Sequence, residues 1–166
     1  MKKFIIFFFV LLFILLIVSC DDNSNDVSKE KSNELLSYLE NNNAEGIKSM
    51  FCEIIRSTGQ LDEQIEVALE FFEGEIISYD DLIRTTNRSQ SRERGIITLL
   101  SIRPYIKNVE TTTDKVYEIW FNADIINVDN ESRVGISELR IKDANNNECV
   151  IGDFYLVYPE RKRYAY

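Results

Sequence analysis

The chain has 166 residues, with 19 Lys and Arg against 28 Asp and Glu, three cysteines and no histidine. Its net charge of −9 disfavours nonspecific nucleic-acid binding, which needs basic side chains to neutralise phosphate. The absence of histidine removes Ser-His-Asp and Cys-His nucleophile pairs, His-ligated zinc and an imidazole general base.

At the amino terminus, Lys2 and Lys3 precede an unbroken apolar run from Phe4 to Val18. As a helix this run spans about 22 Å, short of the ~20 residues that a permanent membrane span needs. Its length and basic start fit the apolar core of a secretion signal. Ile17, Val18, Ser19 and Cys20 resemble a bacterial lipobox. By that resemblance cleavage follows Ser19, a diacylglyceryl group joins the Cys20 sulfur, and Cys20 becomes the mature amino terminus. Two acyl chains anchor stably where one holds only marginally. The competing reading is an uncleaved signal anchor. The expected organisation is a signal peptide over 1–19, a lipidated cysteine and tether over 20–26, and one domain over 27–166. The expected location is the extracytoplasmic face of a cell membrane.

Loss of Lys2 and Lys3 would leave 17 basic against 28 acidic side chains, a net charge of about −11. That charge also opposes flat adsorption to an anionic bilayer. With Cys20 assigned, Cys52 and Cys149 remain, too few for a Cys-only zinc site. They are either a long-range disulfide or two small buried side chains.

Three helical patterns follow. Val27 to Glu40 carries Leu35, Leu36 and Leu39, and its polar first half is expected to dock loosely. Asn42 with Glu45 reads as the cap of a second helix, whose stripe is Ile47, Met50, Phe51, Ile54 and Ile55. Gly59 closes it. Leu61, Ile65, Ala68, Leu69 and Phe72 mark a third, ended by Gly74.

After Gly74 the apolar period changes to two. Residues 75–79 read as a short strand, 84–95 as a polar loop, and 95–112 as an extended segment that Pro104 interrupts. The strand over 115–127 has an apolar face of Tyr117, Ile119, Phe121, Ala123 and Ile125, and a mixed face opposite. Strands over 133–143 and 148–158 complete the set. Helices first and antiparallel strands afterwards predict an α+β fold, three helices on one face of a curved sheet.

The segment "LDEQIEVALEFFEGEIISYD", residues 61–80, is similar to the characteristic segment of a bacterial lipoprotein family known as domain of unknown function 5104. The similarity extends from about Leu35 to Asp153, through "PYIKNVETTTDKVYEI", "RVGISELRI" and "NECVIGD". The resemblance implies a nuclear-transport-factor-2-like, or cystatin-like, cone. It carries over no catalytic or ligand residues, because the family's activity is not established.

Candidate sites are few. Glu118, Trp120, Asn122 and Asp124 share the mixed strand face and form a candidate pocket or interaction face. A carboxylate beside an aromatic ring can act as a base or hold a cation. Arg84, Arg88, Arg92 and Arg94 make the loop over 84–95 strongly basic, a candidate anion-docking loop. Asp80 with Asp81, and the "DANNNE" turn from Asp143 to Glu148, are weaker candidates for acid chemistry and for calcium. In the tail, Phe154 and Tyr155 are expected in the core and Tyr164 and Tyr166 at the surface. No metal and no cofactor is expected. The leading reading is a noncatalytic, lipid-anchored binding or interaction module. Its partner is an envelope protein, a small ligand or a second copy. The alternative is a small-molecule enzyme, isomerase- or hydrolase-like, using a pocket carboxylate or tyrosine.

Overall fold

A computed structural model describes residues 23–80, 84–85 and 89–164. Ser19, Cys20, Asp81 and Arg88 lie outside the described residues. Helix α1 (Asn23–Glu40) is followed by α2 (Ala44–Met50), the single turn α3 (Glu53–Arg56) and α4 (Leu61–Phe71). The strands are β1 (Ile76–Ser78), β2 (Arg84–Thr85), β3 (Ser89–Glu93), β4 (Ile96–Ile102), β5 (Pro104–Thr111), β6 (Val116–Asn127), β7 (Gly135–Asp143) and β8 (Glu148–Gly152). The short helix α5 (Phe154–Val157) and a 3-10 segment, Pro159–Tyr164, close the chain. No described helix is long and apolar enough to cross a membrane.

The fold is α+β, with a curved open antiparallel sheet. Long β6 is its spine. One edge of β6 pairs β7 from Tyr117 to Ala123, and the other pairs β5 along its first half and β4 along its second. β4 and β5 thus form one bent ribbon broken at Arg103, and Pro104 begins the second piece, as its missing N–H requires. β3 extends the sheet beyond β4, β1 and β2 pair β5, and β8 extends it beyond β7.

Alternation along β6 decides the core. Tyr117, Ile119 and Phe121 are fully buried beneath Leu35, Leu39, Ile47, Ile65 and Ala68 of the helices. The Tyr117 hydroxyl donates to the Phe71 carbonyl at 3.0 Å and accepts the Glu73 amide at 3.0 Å. A buried tyrosine thereby satisfies the end of α4 and ties it to the sheet.

Four expectations need correction. The predicted second helix is split: Phe51 is extended and bridges Ile136, and the Cys52 amide donates to the Ile136 carbonyl at 3.0 Å. The apolar stripe continues across the break, so the period alone could not register it. Gly135 permits the approach, since a Cβ there would stand 2.7 Å from the Cys52 nitrogen. The cap of α2 is Asn43, which accepts the Gly46 amide, and not Asn42. The first half of α1 is docked rather than loose, because Ser28 and Ser32 are small enough to be fully buried. Finally, Ser89–Glu93 is an edge strand within the expected loop, turned into β4 through Arg94 and Gly95, both at positive φ. Its polar sequence lacks apolar alternation because an edge strand need not bury a face.

Candidate functional site

The second half of β6 departs from the alternation of buried and outward residues. Against β7 its register shifts between Asn122 and Ala123, and against β4 the shift falls between Leu100 and Ser101. Such bulges re-aim side chains at a sheet end. Here they place the carboxylate of Asp124, only 2% exposed, inside the protein.

Burying a charge is costly unless it is hydrogen-bonded. Ser101 Oγ donates to Asp124 Oδ1 at 2.6 Å, and Asn127 Nδ2 donates to Oδ2 at 2.7 Å. Tyr158 lines the same cavity as this carboxylate. Burial, and then the Asp124 carboxylate, push the Tyr158 pKa well up, so the phenol keeps its proton. Asn127 in turn accepts the Asn130 amide at 3.0 Å, which fixes the turn after β6.

Tyr158 arrives from the tail. Asp153 caps α5 by accepting the Tyr155 and Leu156 amides. Val157 and Tyr158 then bury themselves, while Tyr155 is 39% exposed, against its expected place in the core. The expected strand over 148–158 therefore ends at Gly152, where the capping aspartate starts a helix. The side chains of Tyr164 and Tyr166 lie outside those described. Arginines surround the tail: the Arg133 guanidinium stands 4.8 Å and that of Arg161 5.2 Å from the Tyr158 ring centroid. These are cation–π distances.

Three cavities touch Asp124. One of about 110 Å³ is bounded by Ser101, Arg103, Asn122, Asp124, Tyr158 and Arg161 among others. A second, about 330 Å³, opens between the helices and the sheet, walled by Met50, Phe51, Phe121 and Ile125, with Lys31, Glu34 and Arg56 among its polar residues. The third is a wide basin of about 460 Å³ with Arg92, Arg133 and Arg161.

The expected face Glu118, Trp120, Asn122 and Asp124 therefore divides in two. Asn122 and Asp124 line the first cavity, with Asn122 Oδ1 accepting Arg103 Nε. Trp120 instead packs on Tyr105, the rings meeting edge to face at 5.8 Å, with Glu118 beside the phenol. Burial, and then Glu118, push the Tyr105 pKa up to about 12. On the same face Arg140 bridges Glu138 at 2.8 Å and Glu148 at 3.4 Å.

Of the basic loop, Arg84 lies on β2, Arg94 at a hairpin turn, and Arg92 lines the basin. Arg103, Arg133 and Arg161 were missed as site residues. They lie far from one another in sequence, and only the end of the sheet joins them. Asp143 accepts the Asn145 and Asn147 amides and the Asn147 side chain, which hold its pKa low and make it a turn former. Asp80 accepts from Asn108 at 3.1 Å. Cys52 and Cys149 are unpaired, and burial raises both thiol pKa values. Among the described residues no cluster of three or more metal-ligating side chains occurs.

Fold and site together define an α+β domain with a curved open sheet and a cavity bordered by Ser101, Asn122, Asp124 and Tyr158. Residues 34–148 match the family described as domain of unknown function (DUF5104), and the chain belongs to that family. No curated protein matches it. The matched segment stops before α5, so Tyr158 and Arg161, which cover Asp124, come from chain beyond it.

Proposed function

We propose that this protein is a noncatalytic binding module, held by a diacylglyceryl Cys20 on the extracytoplasmic face of a cell membrane, with a nuclear-transport-factor-2-like cone. The carrying observation is the Asp124 carboxylate, buried where three cavities converge and held by Ser101 and Asn127 beside Tyr158. A carboxylate fixed by hydrogen bonds is a rigid recognition group. The helices, bulged β6 and apolar wall of the second cavity support the cone. The run Phe4 to Val18, followed by Ser19 and Cys20, supports the anchor.

The test is a thermal-shift screen of small polar and amphipathic molecules on the intact protein in detergent. A ligand raises the unfolding midpoint with its saturation. Stabilising molecules recovered unchanged support the module. A chain that no molecule stabilises contradicts it. An unmodified Cys20 behind an intact Met1, seen by mass spectrometry, would end the anchor reading.

A second reading has one observation in its favour: Asp124 and Tyr158 line one cavity, the pairing an isomerase- or hydrolase-like enzyme would use. Conversion of a stabilising molecule, followed by NMR, would establish that reading instead.

A further inference from the structure

We infer that the cavity between α1, α3 and the end of β6 binds a free amphipathic monocarboxylate, the chemistry of a medium-chain fatty acid. The inference rests on the binding reading and names its ligand class.

The cavity is apolar in its depth. Phe51, Phe121 and Ile136 line it and are at most 2% exposed, with Met50 and Ile125 beside them. A methylene placed there leaves water for an apolar wall. The volume of about 330 Å³ is the share of roughly eleven waters at ~30 Å³ each. A chain carbon takes about the space of a water, so an acid of about eight to ten carbons fills it. A whole diacyl lipid is too large.

Charge is left over at the mouth. Lys31 meets the Glu34 carboxylate at 2.7 Å, and the Tyr38 hydroxyl donates to the same carboxylate at 3.2 Å. Arg56 is exposed in the last turn of α3 and lines the same cavity. Among the described residues it makes no ion pair: the bridges are made by Lys31, Lys48, Lys115, Arg133 and Arg140. An unpaired guanidinium over an apolar depth, in a chain of net charge −9, matches a carboxylate head on an apolar body. An amphipathic amine would bring its charge to Arg56, with Glu34 already neutralised by Lys31.

Asp124 sets the limit at the inner wall. Ser101 and Asn127 hold its two oxygens at 2.6 and 2.7 Å. A second ligand carboxylate there would meet like charge, so the ligand carries one. The same two hydrogen bonds fix the bulged stretch Ala123 to Ile125, which forms part of the wall.

The test is calorimetric titration of the intact protein in phosphatidylcholine nanodiscs, with protein-free nanodiscs as the blank. The probes are octanoate, butyrate, suberate and octylammonium. Octanoate should bind saturably, and the other three at least tenfold more weakly. Butyrate lacks the apolar length, suberate carries a second carboxylate, and octylammonium reverses the charge. Arg56→Ala, at an exposed position without an ion pair, should fold like the parent and bind octanoate at least fivefold more weakly. Lys142→Ala, outside the cavity, should leave binding unchanged. The inference is overturned if octanoate does not bind saturably or if any other probe binds as well. It is also overturned if Arg56→Ala binds octanoate like the parent, or if Lys142→Ala weakens binding equally. Should octanoate fail while other molecules raise the unfolding midpoint in the thermal-shift screen, the binding reading survives and this inference does not. If nothing stabilises the chain, both fall.

Discussion

The two halves of β6 follow different rules. From Val116 to Phe121 the strand alternates strictly, with Tyr117, Ile119 and Phe121 in the core and Glu118 and Trp120 on the outer face. From Asn122 to Asn127 the register shifts against both neighbours, and Asp124 and Asn127 are buried. The first half also shifts against β5, between Ile106 and Val109, but the extra residue there lies on β5 and the faces of β6 stay in place. Unbroken alternation secures the core, and its loss places polar groups where a ligand can meet them. One strand thus contains both the firmest part of the core and the candidate site.

Mutations should separate the halves. The largest effect is expected in the regular half, where Phe121→Ala empties a fully buried position. It should cost about 3–5 kcal/mol in urea unfolding, and a loss under ~1 kcal/mol would show that the core is elsewhere. Gly135→Ala tests the close approach that splits the second helix. At φ +119, with Cys52 Cα 2.9 Å from the new Cβ, it should cost about 2–4 kcal/mol.

Asp124→Ala probes the irregular half. It strands the Ser101 and Asn127 donors, for a stability loss of about 1–3 kcal/mol. Ligand stabilisation in the thermal-shift screen should vanish with it. A variant of unchanged stability would mean that those hydrogen bonds are not made. Glu118→Gln, in the regular half, should change stability by less than ~1 kcal/mol and leave ligand binding intact.

The smallest effect is a pH signature. The folded Tyr105 pKa of about 12 lies above its ordinary 10.0. The protonated phenol therefore contributes stability that is complete below pH 10 and is lost as pH rises towards 12. Tyr117 and Tyr158 are shifted in the same direction. Tyr105→Phe should shallow the alkaline fall in unfolding midpoint without abolishing it. An unaltered alkaline limb would refute the role of Tyr105.

The regular half was legible in the sequence and the irregular half was not. Periods of 3.6 and then 2 locate the helices and β6, because each reports a face against one continuous core. Pro104 as a strand start and the family resemblance through residues 61–80 follow from local signals too. The break at Phe51 and Cys52 was invisible, since its cause is Gly135, far along the chain. Asp124 was legible as a candidate on an alternating face. Its separation from Glu118 and Trp120 was not, because register shifts arise from pairing with β4 and β7. The arginines of the site come from the break between β4 and β5, the turn before β7 and the tail. The basic run over 84–94 drew attention to charge dense in sequence, whereas the charge at the cavity is dense only in space.

The most direct measurement is a backbone and indole NMR titration of the intact protein with a stabilising ligand. The account predicts shifts concentrated at Ser101, Asn122 to Asn127 and Tyr158, with the Trp120 indole unmoved as an internal control. Shifts centred on Trp120 and Tyr105, with Asp124 silent, would contradict it.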